Sequence, residues 1–78
     1  MYQPFDQIEC IASDNELFGK KFRIYEIVTT EGNSYTYRKY RLERIIDGSF
    51  SWDIEEYYSN LIENPFAFRK VKPEDEII

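Results

Sequence analysis

The apolar residues between positions 53 and 64 recur at the spacing of an amphipathic helix. They fall at i, i+3, i+4, i+7 and i+8, which aligns them along one side of a helix. Asp53 stands at the N-cap position and Glu56 completes a capping box, while Pro65 disfavours helix in the residue before it. The pattern predicts a helix over 53–64 that packs through five apolar side chains. These are Ile54, Tyr57, Tyr58, Leu61 and Ile62.

The rest of the chain favours β-strands. Residues 7–12 predict a short strand, and residues 21–30 are rich in the β-branched and aromatic residues that suit a pleated sheet. A turn at 31–33 leads into a second long strand over 34–46. Residues 66–72 predict a last strand at a sheet edge, where lysines guard the open side. Together these elements predict an α+β fold: a small antiparallel sheet of three or four strands with the helix packed on one face.

The register of the two long strands decides which side chains share a face. With Thr30 opposite Ser34, Phe22 faces Leu42 and one face of the hairpin is mostly apolar. The opposite face then carries Arg23, Tyr25, Ile27, Tyr35, Tyr37, Lys39 and Arg41. A second interpretation makes 38–47 a helix, but the tyrosines of this region and the turn before it favour the strand.

Composition indicates one domain over 1–78, with an acidic tail at 73–78 that is expected to fray. The chain is 42% hydrophobic and 18% aromatic, so aromatic rings are expected to build much of the core. Its single cysteine, Cys10, cannot form an intramolecular disulfide. No apolar run is long enough for a signal peptide or a transmembrane helix. A cytoplasmic protein without membrane contact is therefore expected.

The sequence lacks the usual components of a catalytic or metal site. There is no histidine, which removes the commonest general base and the commonest metal ligand. Cys10 in a predicted strand is expected to be a core residue, and Glu55 and Glu56 point about 100° apart on a helix, so they cannot act as an acid–base pair. We therefore expect no catalytic residue, no metal site and no cofactor.

The net charge of −5 is distributed in blocks. Residues 20–46 are mainly basic, whereas residues 1–19 and 47–64 contain acids and no base. The outer face of the predicted helix is therefore a candidate protein-binding surface for a partner with a basic surface. Its residues are Glu55, Glu56, Tyr57, Ser59, Asn60 and Glu63. An ordinary solvated helix face has the same composition.

The basic, tyrosine-bearing face of the hairpin is a second candidate. Its tyrosines would stack on bases and its cations would contact phosphates, as in single-strand nucleic-acid binders. The residues of this nucleic-acid-binding alternative are Arg23, Tyr25, Tyr37, Arg38, Lys39, Arg41 and Arg44. In the competing interpretation the rings pack under a neighbouring strand and the cations pair with the acidic segments, which fits the negative total charge better.

Residues 38–45, Arg-Lys-Tyr-Arg-Leu-Glu-Arg-Ile, resemble the Arg-x-Phe-Arg-Leu-Asp-Arg-Ile strand near the end of WYL domains. Those domains are Sm-like β-barrel modules of bacterial transcription regulators and defence-associated proteins. Their Trp-Tyr-Leu strand would correspond to residues 22–24, where this chain has Phe-Arg-Ile. The resemblance implies nucleic-acid or nucleotide contacts at Arg38, Arg41 and Arg44.

These observations predict a small, acidic, non-enzymatic protein that binds a macromolecular partner and regulates or inhibits it. A phage- or mobile-element-type inhibitor of a nucleic-acid-acting protein would have this character. The alternative is a WYL-like regulatory module that binds nucleic acid or nucleotide through the basic hairpin. A homodimer or structural subunit is a third class.

Overall fold

The chain folds into one five-stranded antiparallel sheet, described for residues 2–77 in a computed structural model. The elements in chain order are β1 (Gln7–Cys10), β2 (Lys21–Glu31), β3 (Thr36–Ile46), β4 (Ser49–Tyr58), α1 (Ser59–Ile62), β5 (Phe68–Lys70) and a 3-10 turn at Pro73–Asp75. The strand order across the sheet is β4-β3-β2-β1-β5, so β4 and β5 are the outermost strands. The expected strands at 7–12, 21–30, 34–46 and 66–72 are confirmed as β1, β2, β3 and β5, with adjusted ends.

The predicted helix over 53–64 is wrong, and with it the α+β fold class. Residues 49–58 form the fourth strand, and α-helix within residues 2–77 is limited to the single turn of α1. The aromatic and β-branched residues of this segment favour a strand, and Ile54, Tyr57 and Tyr58 pair with β3 along their backbones. The 38–47 helix is excluded as well, because residues 38–46 lie within β3 and Asp47 begins the turn after it.

A two-residue turn explains why the chain enters β4 as a strand. Asp47 and Gly48 join β3 to β4, and both have positive φ angles, 51° and 78°. Positive φ at both central residues is the geometry of a type I′ hairpin turn, and Asp-Gly is one of its preferred sequences. The turn matches the twist of the flanking strands, so it directs residues 49–58 back along β3.

The register between β2 and β3 differs from the predicted one. Phe22 faces Arg44 and Ile24 faces Leu42. A β-bulge between Ile24 and Glu26 then shifts the pairing by one residue, so that Glu26 faces Arg41. Because of this shift, Ile27 lies opposite the buried Tyr40 instead of on the basic face.

One face of the sheet is covered and the other is open. The covered face packs against α1, the 11–20 connection and the segment before β5, and Tyr40 is completely buried there. The core consists of Ile8, Cys10, Leu17, Phe22, Ile24, Tyr40, Leu42, Ile62, Ala67, Phe68 and Val71. Each large apolar side chain buried in this way contributes roughly 1.5–3 kcal/mol. Residues 2–77 therefore form a single, mostly β domain.

The acidic tail is held against the sheet in the part that the structure describes. Pro73–Asp75 forms the 3-10 turn, and the backbone N–H of Ile77 donates a hydrogen bond to the Gln7 side chain. Position 78, the end of the segment expected to fray, lies outside the described residues. The side chain of Gln7 thereby links the tail to β1.

Candidate functional site

The acidic helix face expected at 53–64 does not exist as one surface. In a strand, successive side chains point to opposite faces, so Glu56 lies on the open face while Glu55 and Tyr57 lie on the covered face. Ser59 and Asn60 begin α1, and Glu63 follows it. The six residues of that candidate surface are thus divided among three environments.

Glu55 is bound to an arginine on the neighbouring strand. Arg44 donates from Nε and Nη2 to the two Glu55 oxygens, at 2.9 and 2.8 Å, and the Tyr57 hydroxyl donates to Oε1 at 2.7 Å. Burial by itself would raise the pKa of Glu55, but these donors outweigh it and hold the pKa below its usual value. Burial and the same carboxylate raise the pKa of Tyr57 to about 12. These three side chains stabilise the β3–β4 pair and are occupied by one another.

Glu63 forms a second network at the other end of the covered face. Arg38 donates to both Glu63 oxygens, and the Tyr40 hydroxyl donates to Oε2 at 2.5 Å. Burial opposes the charged form of Glu63, yet the donors from Tyr40 and Arg38 hold its pKa below the usual value. Glu63 therefore ties α1 to β3.

All five arginines of the chain are paired with glutamates. The pairs are Arg23–Glu43, Arg38–Glu63, Arg41–Glu26, Arg44–Glu55 and Arg69–Glu9, at 2.6 to 2.8 Å. Arg23 also stacks on the Phe50 ring, with its guanidinium carbon 3.7 Å from the ring centroid. Each guanidinium group therefore meets a counter-charge within the fold, while those of Arg41 and Arg69 stay partly exposed.

Two of the three tyrosines expected on the hairpin face, Tyr35 and Tyr37, form a cluster that also includes Tyr58 of β4. Tyr35 and Tyr37 stack with centroids 5.7 Å apart, and Tyr37 meets Tyr58 of β4 edge-on, also at 5.7 Å. The Lys39 ammonium lies 5.1 Å from the centroid of Tyr58. Tyr25, the extra residue of the bulge in β2, lies beside Arg41. The open face thus has an aromatic cluster at its hairpin end.

Trp52 is the most exposed large apolar residue of β4. Between the pairs Ile45–Phe50 and Glu43–Ile54, β3 supplies one residue and β4 supplies three, so the strand bulges at Trp52. The bulge lifts this side chain away from the sheet and leaves it 96% exposed. Beside it lies an open cleft of about 370 Å³ whose lining includes Phe50 and the Arg23–Glu43 pair.

The charges without a partner among residues 2–77 are mostly negative. The unpaired acids are Asp14, Glu16, Glu31, Asp47, Asp53, Glu56, Glu74, Asp75 and Glu76, and the unpaired lysines are Lys20, Lys21, Lys39 and Lys72. Three of these acids lie along β4 and its turn, next to exposed aromatic residues. We call this surface the acid–aromatic edge; it consists of Asp47, Trp52, Asp53, Glu56 and Tyr58.

Sequence reasoning missed Trp52 and Asp53 as surface features because it placed Asp53 at the N-cap of a helix, with Trp52 directly before it. The signal that identifies them is the Asp-Gly pair at 47–48, which is typical of a hairpin turn and predicts a strand after it. Glu56 belongs both to the predicted set and to the acid–aromatic edge, though for a different geometric reason.

Other site classes find no support within the described chain. Residues 2–77 contain no group of three or more acidic or cysteine side chains placed to hold a metal ion. Among the same residues, none of the helices has the length and apolar character needed to span a membrane. Comparison with protein-family models, with curated proteins and with solved structures finds no match.

Proposed function

We propose that this chain is a non-enzymatic binding protein that uses the acid–aromatic edge to contact a basic surface on a partner protein and thereby regulates that partner. One observation carries the proposal: Trp52 is held 96% exposed on a bulge, next to carboxylates that have no partner in residues 2–77. Every arginine, by contrast, is neutralised within the fold.

The two components of this surface have different roles in binding. Trp and Tyr are enriched among the residues that dominate interface energies, where truncation costs 2 kcal/mol or more. Trp52 and Tyr58 are therefore the expected anchors. Exposed carboxylates such as Asp53 and Glu56 act mainly on association rate and orientation, and their contribution weakens with salt.

A basic partner surface is the chemistry that matches unpaired carboxylates. The nucleic-acid channel of a nucleic-acid-acting protein is one such surface, and occupation of that channel would inhibit the partner. This regulatory role is part of the proposal and rests on charge alone.

Affinity capture with matched variants tests the proposal. The wild-type chain, Trp52→Ala and Asp53→Lys/Glu56→Lys are immobilised and exposed to a native lysate. The control is Asp14→Lys/Glu16→Lys, which makes the same charge change in the 11–20 connection, away from β4. A partner retained by the wild type and the control but lost from both β4 variants supports the proposal. Equal retention by the wild type and both β4 variants contradicts it.

A second candidate function rests on the tyrosine cluster. Tyr35 and Tyr58 are exposed and cluster with the half-buried Tyr37. Beside them lies Lys39, which has no ion-pair partner in the described chain. Such a surface suits the stacking of single-stranded bases, in keeping with the WYL-like alternative. Fluorescence anisotropy of a labelled single-stranded oligonucleotide tests it. In this alternative, Tyr37→Ala/Lys39→Glu abolishes binding and Trp52→Ala leaves it unchanged.

A further inference from the structure

β2 has a long open edge beyond its pairing with β1. β1 pairs only with residues 21–23 of β2, and the N-terminal segment makes its last backbone hydrogen bonds to Ile24, through Phe5 and Asp6. Within residues 2–77, the portion from Glu26 to Glu31 is therefore paired on the β3 side alone. Its other side presents backbone groups to solvent.

The geometry of the hairpin identifies which backbone groups face outward. The N–H of Gly32 donates to the carbonyl of Tyr35 across the turn, and the β2–β3 register is unbroken from Glu26 to Glu31. Backbone direction alternates along a strand, so Val28 and Thr30 point toward β3. Ile27, Thr29 and Glu31 consequently point their N–H and C=O groups away from the sheet.

This edge lacks the protection found at the two outermost strands. β4 is interrupted by the bulge at Trp52 and carries unpaired acids, and β5 has only three residues, two of them cations. Bulges, short length and charge are common means of preventing strand pairing at an edge. Residues 27–30, Ile-Val-Thr-Thr, lie between the bulge at Tyr25 and the acidic Glu31; they are themselves uncharged, regularly paired with β3 and all β-branched.

We propose that two copies of this chain associate through this edge, with Ile27–Glu31 pairing antiparallel to the same segment of the second copy. A two-fold axis near Val28 or Thr29 brings the outward backbone groups of both copies into hydrogen-bonding positions. Centred on Val28, the pairing sets Glu26 opposite Thr30 of the other copy. Centred on Thr29, it sets Glu31 opposite Ile27. Neither register places one carboxylate directly opposite another.

Such a dimer closes on itself. The two sheets join into one of ten strands, in which the remaining edges are the protected β4 and β5. The open faces of both copies lie on the same side, because the two-fold axis is perpendicular to the sheet. The area buried between the two copies is small compared with the roughly 1,200–2,000 Å² of standard interfaces, so association is expected to depend on concentration. This inference does not rest on the proposed partner binding.

Disulfide trapping tests the seam, which is the line along which the β2 edges of the two copies pair. Two residues directly opposite across an antiparallel pair have Cα atoms about 4.5–5.5 Å apart, within the range that a disulfide spans. We expect Val28→Cys or Thr29→Cys to form covalent dimers under mild oxidation. Thr36→Cys, exposed on β3 one strand away from the seam, is the control and is expected to form no covalent dimer. The natural Cys10 is buried and so does not compete.

Sedimentation equilibrium provides the second measurement. The wild type is expected to shift from monomer mass toward dimer mass as concentration rises, and Thr29→Pro, which removes an outward N–H, to lower the dimer fraction at least tenfold. If Thr29→Pro loses its far-UV spectrum, Thr29→Lys replaces it, since an edge lysine blocks strand pairing without altering the backbone. A monomer mass up to millimolar concentration, or equal trapping by Thr36→Cys, overturns the proposal. A dimer that persists in the Thr29 variants places the seam elsewhere and overturns it too.

Discussion

Arg44 on β3 and Glu55 on β4 form a two-bond ion pair on the covered face of the sheet. The pair lies over the ring of Phe22, with the Arg44 guanidinium carbon 5.4 Å from its centroid. Its geometry exists only if β4 runs back along β3, because the two residues are brought together by cross-strand pairing. The ion pair therefore forms only when β4 pairs with β3, and β4 is the strand that presents the acid–aromatic edge.

Glu55 is expected to contribute more to stability than its neighbour Glu56. Hydrogen bonds to charged groups contribute about 1.5–3 kcal/mol when buried and less when partly exposed, so Glu55→Ala is expected to lower the free energy of unfolding by about 1–2 kcal/mol. Glu56→Ala, the control on the open face, is expected to stay within roughly 0.5 kcal/mol of the wild type. Urea unfolding monitored by far-UV circular dichroism measures both. Equal effects for the two variants would show that the Arg44–Glu55 pair does not stabilise the fold.

Stability is expected to fall in acid because two glutamates have lowered pKa values in the folded state. The pKa values of Glu55 and Glu63 lie below the ordinary value of 4.5, despite their burial, because Arg44, Arg38 and tyrosine hydroxyls donate to them. A folded-state pKa below the unfolded one gives stability that is complete above about pH 4.5 and is lost as the pH falls through the folded pKa.

Glu63→Gln tests that acid dependence. It is expected to reduce the slope of unfolding free energy against pH below 4.5, whereas Glu16→Gln, at an exposed site, is expected to keep the wild-type slope. Urea midpoints between pH 3 and 7 give these slopes. Identical slopes for Glu63→Gln and the wild type would contradict the assignment.

Gly48 is expected to tolerate no other residue without loss of stability. Its φ of 78° lies in the left-handed region, where a residue with a Cβ costs about 1–2 kcal/mol. A Cβ added at Gly48 would meet no atom within 4 Å, so backbone strain alone sets the effect. Gly48→Ala is therefore expected to lower the thermal midpoint by several degrees. Ser49→Ala, the exposed neighbour, is the control and should leave the midpoint nearly unchanged.

Four of the five strands were predictable because local chemistry and pairing agree. β1, β2, β3 and β5 have β-forming residues bounded by turn residues, and in β3, where a helix over 38–47 was the alternative, the tyrosines favour the strand. In 53–62 the apolar spacing of a helix coincides with strand alternation, since Ile54 and Tyr58 fit both patterns. The Asp-Gly turn before this segment favours the strand over the helix. Local periodicity alone could not distinguish the helix from the strand, because backbone pairing with β3 is a tertiary interaction.

The proposed binding surface was less predictable than the fold. The bulges at Tyr25 and Trp52 shift the register, and each shift changes which acids meet which arginines. Charge blocks in the sequence indicate that attraction exists between segments, but they do not identify the pairs. For this reason the arginines predicted to contact phosphate are engaged with glutamates, while the exposure of Trp52 became visible only in the folded chain.

The conformation of residues 54–58 is the most direct test of this account, because the acid–aromatic edge exists only if they form a strand. Nuclear magnetic resonance of the isolated protein measures it through Cα chemical shifts and proton–proton contacts. We expect strand-type shifts throughout 54–58 and backbone contacts from Tyr57 to Tyr40 and from Glu55 to Leu42, which are opposite one another across β3 and β4. Helical shifts, with contacts between residues three apart such as Ile54 and Tyr57, would contradict the fold and remove the proposed binding surface.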